Sequence, residues 1–288
     1  MDLRIIDLYD RFTHGELSRR EFLDRLRDLA GSTAAAAALL PLLHNDYARA
    51  AIVAADDKRL ATERASYDSP KGRINGYLAR LAAGGKRPAV LVIHENRGLN
   101  PHLEDVARRV ALEGFLAYAA DLLSLVGGTP AREDEARALH AKMNQDDAVT
   151  ALVAAVSFLK AHPESTGKVG AVGFCFGGLM VNRLAVASPA LDAGVAYYGR
   201  QVPAEQVPNI RAPLLLHYAE HDAGVNAGIA AYAAALQANG KTFTIYRYPG
   251  THHAFNNDTG AARYDKAAAD LAWSRTVAFL KDRLGGPA

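Results

Sequence analysis

Between residues 60 and 248 the chain alternates short apolar runs with longer stretches whose apolar residues recur every three or four positions. Eight runs read as strands, near 60–67, 72–81, 88–94, 116–120, 168–174, 193–198, 213–218 and 242–248. Ala89-Val90-Leu91-Val92-Ile93 and Leu214-Leu215-Leu216 carry no polar residue to set against water, the pattern of strands covered on both faces. Between and after the strands the period lengthens. Leu103, Val106 and Val110 share one helix face, as do Val149, Leu152, Val153, Val156 and Leu159, and Trp273, Val277, Leu280 and Leu284. Strands alternating with helices predict an α/β fold, with a doubly wound, mainly parallel, eight-stranded sheet and helices on both faces. Asp68-Ser69-Pro70-Lys71-Gly72 is a turn signal, so the first two strands are expected to pair antiparallel.

The first 58 residues stand apart as an N-terminal segment before a domain running from 59 to 288. Two readings of this segment are open. In one it is a retained helical arm: Leu3, Ile5, Ile6, Leu8, Tyr9 and Phe12 form a packed helix, Ser18 and Glu21 form a capping box, and Phe22, Leu26 and Leu29 line one face. Such an arm packs on its own domain or on a partner subunit of a homodimer, and the protein is cytoplasmic. In the other, Ser18-Arg19-Arg20-Glu21-Phe22-Leu23 is a twin-arginine-like export motif, Leu29 to Leu43 is its apolar region, and Ala48-Arg49-Ala50 is a cleavage site. The protein is then periplasmic. Asp24, Arg25, Arg27 and Asp28 make the stretch between motif and apolar region unusually charged for a signal.

Composition narrows the function classes. At 288 residues the chain can bury a full core, and 50% hydrophobic residues exclude general disorder. A formal net charge of +2, with no interleaving of basic and aromatic residues, gives no footprint for nucleic acid. No apolar run reaches the length of a membrane span. A single cysteine excludes an intrachain disulfide framework.

That cysteine sits in the most informative stretch, Gly173-Phe174-Cys175-Phe176-Gly177-Gly178, between the strand run ending near 174 and the helix-like run from Leu179. A nucleophile on a sharp strand-to-helix turn draws two backbones together, and side chains at Gly173 and Gly177 would clash. Asp222 follows the strand containing Leu214-Leu215-Leu216-His217-Tyr218, with Glu220 as an alternative acid. His252 and His253 follow the last strand, and either can serve as base. Nucleophile, acid and histidine thus occur in the chain order of this kind of hydrolase, each beyond a strand end, where open α/β sheets gather their ligand sites. The histidine pair has no second cluster at metal-ligand spacing, so no metal is expected.

Glu95 follows the strand ending at His94, and with Cys175 in Gly-Phe-Cys-Phe-Gly-Gly, Asp222 after Leu-Leu-Leu-His-Tyr, and His253 in His-Ala-Phe it completes a set. On these residues the chain, from about 60 to 285, resembles the dienelactone hydrolase family of the α/β-hydrolase superfamily, in a subgroup with a twin-arginine-like N-terminal extension. The resemblance implies a carboxymethylenebutenolidase-like hydrolase that cleaves small esters or lactones through an acyl-cysteine and needs no cofactor. Its triad is Cys175, Asp222 and His253, Glu95 takes part in forming the thiolate, and the backbone N–H groups of Asn96 and Phe176 form the oxyanion hole. The family's arginine shortly after the catalytic histidine is missing, because the next arginine after His253 is Arg263. Arg97 and Arg200 are the candidates to replace that grip, with Tyr198 and Phe255 as further substrate contacts. Two other readings stay open, a non-hydrolytic protein with Cys175 as a redox-sensing or ligand-binding thiol, and a hydrolase of phosphoesters.

Overall fold

The computed structural model describes residues 1–47 and 51–285. Eight strands form one sheet: β1 (Leu60–Ser69), β2 (Gly72–Leu81), β3 (Arg87–Ile93), β4 (Leu116–Asp121), β5 (Ser165–Phe174), β6 (Ala193–Tyr197), β7 (Leu214–His221) and β8 (Phe243–His252). Their order is β1-β2-β4-β3-β5-β6-β7-β8. β2 runs antiparallel to both β1 and β4, and the remaining neighbours are parallel. The eight apolar runs therefore became the eight strands, because each is long enough to cross the sheet and is bounded by turn residues. Ile93 lies beside Gly173, and Phe174 beside Tyr197, so β3, β5 and β6 end at one level. The loops after those ends converge, and that convergence builds the site.

Helices cover both faces. α6 (Gln145–Ala161), α7 (Phe176–Ala187) and α9 (Ile229–Ala238) pack on one side, α4 (Pro101–Leu112) and α10 (Lys266–Leu284) on the other. Val149, Leu152, Val156 and Leu159 of α6 are buried as the spacing predicts. α10 is turned from its predicted face: Ala269, Ala272, Thr276, Leu280 and Leu284 are buried, while Trp273 and Val277 lie at the margin. A polar requirement explains the rotation. The Thr276 hydroxyl sits 2.6 Å from the Tyr197 hydroxyl and 3.1 Å from His217 Nε2, groups that would otherwise be buried without partners.

The N-terminal segment folds as three helices, α1 (Leu3–Thr13), α2 (Arg19–Ala30) and α3 (Thr33–Leu43). The capping box at Ser18 and Glu21 is present. Phe22 and Leu26 are buried in a small core with Ile5, Leu8, Tyr9 and Leu17, and Phe12 stacks on Phe22 at 4.5 Å. The Ala/Leu-rich stretch from 29 to 43 is not continuous: Gly31 adopts a left-handed conformation, Ser32 caps α3, and α2 meets α3 at a bend of 113°. Among the described residues no single helix is long and apolar enough to cross a membrane. Arg19 pairs with Asp134 at 2.8 Å and Arg20 is exposed. Ala48-Arg49-Ala50, the candidate cleavage site, lies outside the described residues. The arm packs on its own domain: Arg263 Nη1 meets Asp10 Oδ1 at 2.6 Å, Asp46 N–H donates to the Thr259 carbonyl at 2.8 Å, and Val53 N–H donates to Asp105 Oδ1 at 2.8 Å. The short helices α5 (Glu133–His140) and α8 (Ala223–Asn226) complete the chain.

Candidate active site

Cys175 stands at the turn between β5 and α7 with φ 56° and ψ −113°, a conformation that L side chains rarely adopt. The sequence permits it because the flanking glycines let the backbones touch. A Cβ on Gly173 would lie 2.1 Å from the Gly177 carbonyl oxygen, and one on Gly177 would lie 2.2 Å from the Ile93 carbonyl oxygen. Among the described residues, the non-glycine positions with positive φ are Cys175, Tyr198 and Ala254, and all three border this site. Each such residue costs about 1–3 kcal/mol, which the surrounding sheet must offset. Cys175 N–H donates to the Tyr197 carbonyl at 3.0 Å and Tyr198 N–H to the His217 carbonyl at 2.7 Å, fixing both turns.

Asp222 and His253 meet beside the cysteine. His253 Nδ1 lies 2.6 Å from Asp222 Oδ2, with both side chains largely buried. The carboxylate can only accept, so Nδ1 carries a proton, and Nε2 is buried without a hydrogen-bond partner among the described residues. His252, the alternative base, instead packs against His221 with ring centroids 5.0 Å apart. Glu220, the alternative acid, is exposed and accepts from Gly250 N–H at 2.6 Å. Burial works against both charged forms. It pushes the Cys175 thiol up, but the imidazoles of His253 and His14 outweigh it and bring the thiol down to about 6. Burial likewise lowers His253, and the charges of Asp222 and Cys175 raise it well above the usual histidine range.

His14 is the residue the sequence did not announce. It caps the carboxyl end of α1, and its Nε2 lies 3.3 Å from Cys175 Sγ. Its ring meets that of His253 edge-on at 4.6 Å. A histidine before a glycine at a helix end reads as a local cap, and nothing in the pattern points 161 residues down the chain. One ring nitrogen each of His14 and His253 and the Cys175 Sγ lie within 4.8 Å of one another. That is close enough to admit a soft cation.

Glu95 is buried at 3% exposure. Its Oε2 accepts from Asn257 Nδ2 at 3.0 Å and lies 3.9 Å from Arg97 Nη1, while Oε1 is buried without a hydrogen-bond partner. It makes no hydrogen bond to Cys175 among the described residues. Asn257 was not foreseen either: it stands four residues after His253 and is oriented by two donations from Thr259 to its Oδ1. His94 braces the same loop. Its Nε2 accepts from Leu122 N–H at 3.1 Å, so Nδ1–H donates to the Glu95 carbonyl at 2.5 Å, and burial lowers its pKa and keeps it neutral.

A cavity of about 1560 Å³ opens over the sulfur. Phe12, Thr13 and His14 of the arm form one wall, and Tyr198, Arg200 and His253 face them. Asn96 and Phe176 also border it, whereas Arg97 and Phe255 do not. Arg97 is buried beneath the arm, 3.2 Å from Glu133 and 3.4 Å from the Tyr9 hydroxyl. Phe255 packs against Tyr198 and Tyr248. Phe176 opens α7, so its N–H is one of the helix's unsatisfied N-terminal donors.

With this geometry in place the chain was compared with known proteins. The sequence model of the dienelactone hydrolase family matches residues 74–284. A protein of Aquifex pyrophilus named "Protein usf" is 36% identical over 222 residues, covering 74% of this chain and 94% of that protein. A Bradyrhizobium protein named "Probable 2-oxo-3-(5-oxofuran-2-ylidene)propanoate lactonase" is 30% identical over 246 residues, covering 79% of this chain and 98% of that protein. Among solved structures, P91, a dienelactone hydrolase-like promiscuous phosphotriesterase from metagenomic libraries, superposes with a TM-score of 0.69 at 25% identity, covering 79% of this chain and all of its own.

Proposed function

The chain belongs to the dienelactone hydrolase family, a hydrolase of ester or lactone bonds, and on that premise we propose that it cleaves small esters or lactones through an acyl-cysteine intermediate at Cys175. The observation that carries the reading is the 2.6 Å His253–Asp222 pair, set within reach of a sulfur on a strained turn. A thiolate attacks a carbonyl where a neutral thiol does so poorly. His253 accepts the thiol proton and returns it to the leaving alkoxide, while Asp222 holds the tautomer and offsets the imidazolium charge. The N–H groups of Asn96 and Phe176 receive the oxyanion, each contributing about 3 kcal/mol to the transition state. Water then hydrolyses the thioester with His253 as base. Tyr198 and Arg200 face the substrate, and the Arg200 guanidinium makes no ion pair among the described residues. Glu95 lies buried behind the site, held by Asn257.

The test is a chromogenic acetate ester followed through its first turnover. The expected result is a burst of phenolate matched to one acetyl group on Cys175 by intact mass, and a loss of order 10⁴ or more in Cys175→Ala. An alanine variant that keeps most of the activity defeats the assignment. The likeness to P91 supports a second activity on phosphotriesters, in which the same sulfur and donors meet a tetrahedral phosphorus. A chromogenic phosphotriester, turned over by the wild type and not by Cys175→Ala, tests it.

A further inference from the structure

We propose that the N-terminal arm is a working part of the active site and that His14 is a second proton acceptor for the Cys175 thiol. The inference rests on the thiol reading above. It starts from a tautomer. His14 Nδ1 lies 2.7 Å from the Asp10 backbone carbonyl, which can only accept, so Nδ1 carries hydrogen. In the neutral ring Nε2 is then a lone pair, 3.3 Å from Sγ, and can only accept the S–H. In the cation Nε2–H donates to the thiolate. Either way one proton lies between Nε2 and Sγ. Its transfer leaves the S–H electron pair on sulfur, makes an N–H bond from the nitrogen lone pair, and leaves the charge of the pair unchanged. When the thiolate is acylated, that proton departs with the alkoxide as alcohol.

His14 is held there by more than its own contact. Thr13, the preceding residue, has its carbonyl bound by Asn96 Nδ2 at 2.7 Å. Asp10, which anchors the ring, has its carboxylate bound by Arg263 at 2.6 Å, and Arg263 also lies 5.1 Å from the face of Tyr9. Two side chains of the hydrolase domain, Asn96 and Arg263, thus fix the last turn of α1. The position suits a cation, since His14 caps the carboxyl end of α1 and a helix's carboxyl end favours positive charge. The charged and titratable groups facing the ring are Asp10, Arg11 and Glu16 from the arm, Cys175, Asp222 and His253 from the sheet ends, and His140 from α5. Arg11 and Glu16 neutralise each other at 3.1 Å. Burial lowers His14, and the Cys175 charge reverses that and raises it. Glu95 Oε2, by contrast, is engaged by Asn257 and Arg97, and the groups that stabilise the Cys175 thiolate are the imidazoles of His253 and His14.

The experiment measures the rate of Cys175 alkylation by iodoacetamide against pH in the full-length protein, with ester turnover alongside. His14→Ala is expected to move the alkylation midpoint up by about one pH unit and to lower kcat/KM by about 10²-fold, with added imidazole restoring part of both. His14→Gln fills the space and keeps a polar contact, so it separates proton acceptance from packing, and it is expected to shift the midpoint as His14→Ala does. Unchanged midpoints in both variants overturn the proposal. So does a rise in turnover, which would make the arm a plug over the nucleophile. If wild-type turnover survives Cys175→Ala, the thiol reading itself fails, and that outcome is distinct from normal Cys175 chemistry with silent His14 variants.

Discussion

Replacing Asp222 by asparagine keeps the shape of the side chain and removes its charge. Asp222 Oδ2 lies 2.6 Å from His253 Nδ1, and both groups are largely buried. Placing the two charge centres about 4 Å apart at an effective dielectric near 20 gives an attraction of about 4 kcal/mol. That stabilisation exists only when the ring is cationic, which is its state as the thiolate forms. Losing it lowers the rate by about 10³-fold. The amide can also turn its NH₂ toward Nδ1, forcing the ring proton onto Nε2, where it blocks proton acceptance. The sign of the pH effect follows. Without the carboxylate His253 holds its proton less well, the imidazolium supports the thiolate less, and the Cys175 midpoint rises from about 6. The assay is kcat/KM for a chromogenic acetate ester between about pH 5 and 9, expected to fall about 10³-fold at neutral pH with its ionisation limb displaced upward. The melting temperature should also fall at neutral pH, because the variant loses the carboxylate charge that the fold holds against His253, while the amide oxygen can keep the 3.4 Å contact to Val225 N–H. A loss below tenfold with an unmoved limb would refute the pairing's role.

His253→Ala is expected to collapse acylation while His252→Ala keeps at least a third of wild-type turnover, and the reverse order in steady-state rates would transfer the role of base to His252. Gly177→Ala should lower stability by about 2 kcal/mol or more in a denaturant titration, because its Cβ would meet the Ile93 carbonyl at 2.2 Å and backbone cannot yield cheaply. A native midpoint there would show that the turn has room. Asp10→Asn leaves the buried Arg263 guanidinium without its counter-charge, so α1 should lose hydrogen-exchange protection by about 3 kcal/mol while the central strands keep theirs. Equal protection of α1 in both proteins would contradict this. Asp222 also carries a pH signature for folding. Burial raises its pKa, and the His253 charge and hydrogen bond reverse that and hold it below the usual aspartate value. Its contribution to stability is therefore present above the unfolded aspartate pKa and lost as pH falls through the lower folded value.

Much of the fold was legible because the sheet is buried on both faces. A strand such as Val90-Leu91-Val92-Ile93 has no alternative to an apolar run, and its ends are marked by turn residues. Cys175, Asp222 and His253 were legible for a related reason: each follows such a strand, so their convergence is a property of the topology. α10 was misjudged in rotation because its sheet-facing stripe is made of Ala269, Ala272 and Thr276, small residues that carry little hydrophobic signal, while Trp273 drew the eye to its margin. The apolar stretch from 29 to 43 looked continuous because Gly31 and Ser32 are weakly polar, yet a left-handed glycine and a serine cap are enough to break it. Arg97 read as a loop arginine free to bind substrate, and only the docked arm shows it covered, with Glu133 and Tyr9 against it. His14 escaped for the deepest reason. Its partner is set by how two separately patterned regions pack, and periodicity speaks only within each.

The arm's contacts also impose an order of events during synthesis. Residues 1–47 leave the ribosome first, but what they dock against comes late: Cys175 at mid-chain, then His253, Thr259 and Arg263 near the carboxyl end. For most of translation the apolar faces of α1 and α2 have only each other. Domains generally fold as units while the chain emerges, and here an early segment is bound to a much later one. A ribosome halted before codon 263 would hold a nascent chain whose Cys175 has been made but whose His14 has no arginine to moor its helix. Docking of the arm thus waits for the segment around residue 263.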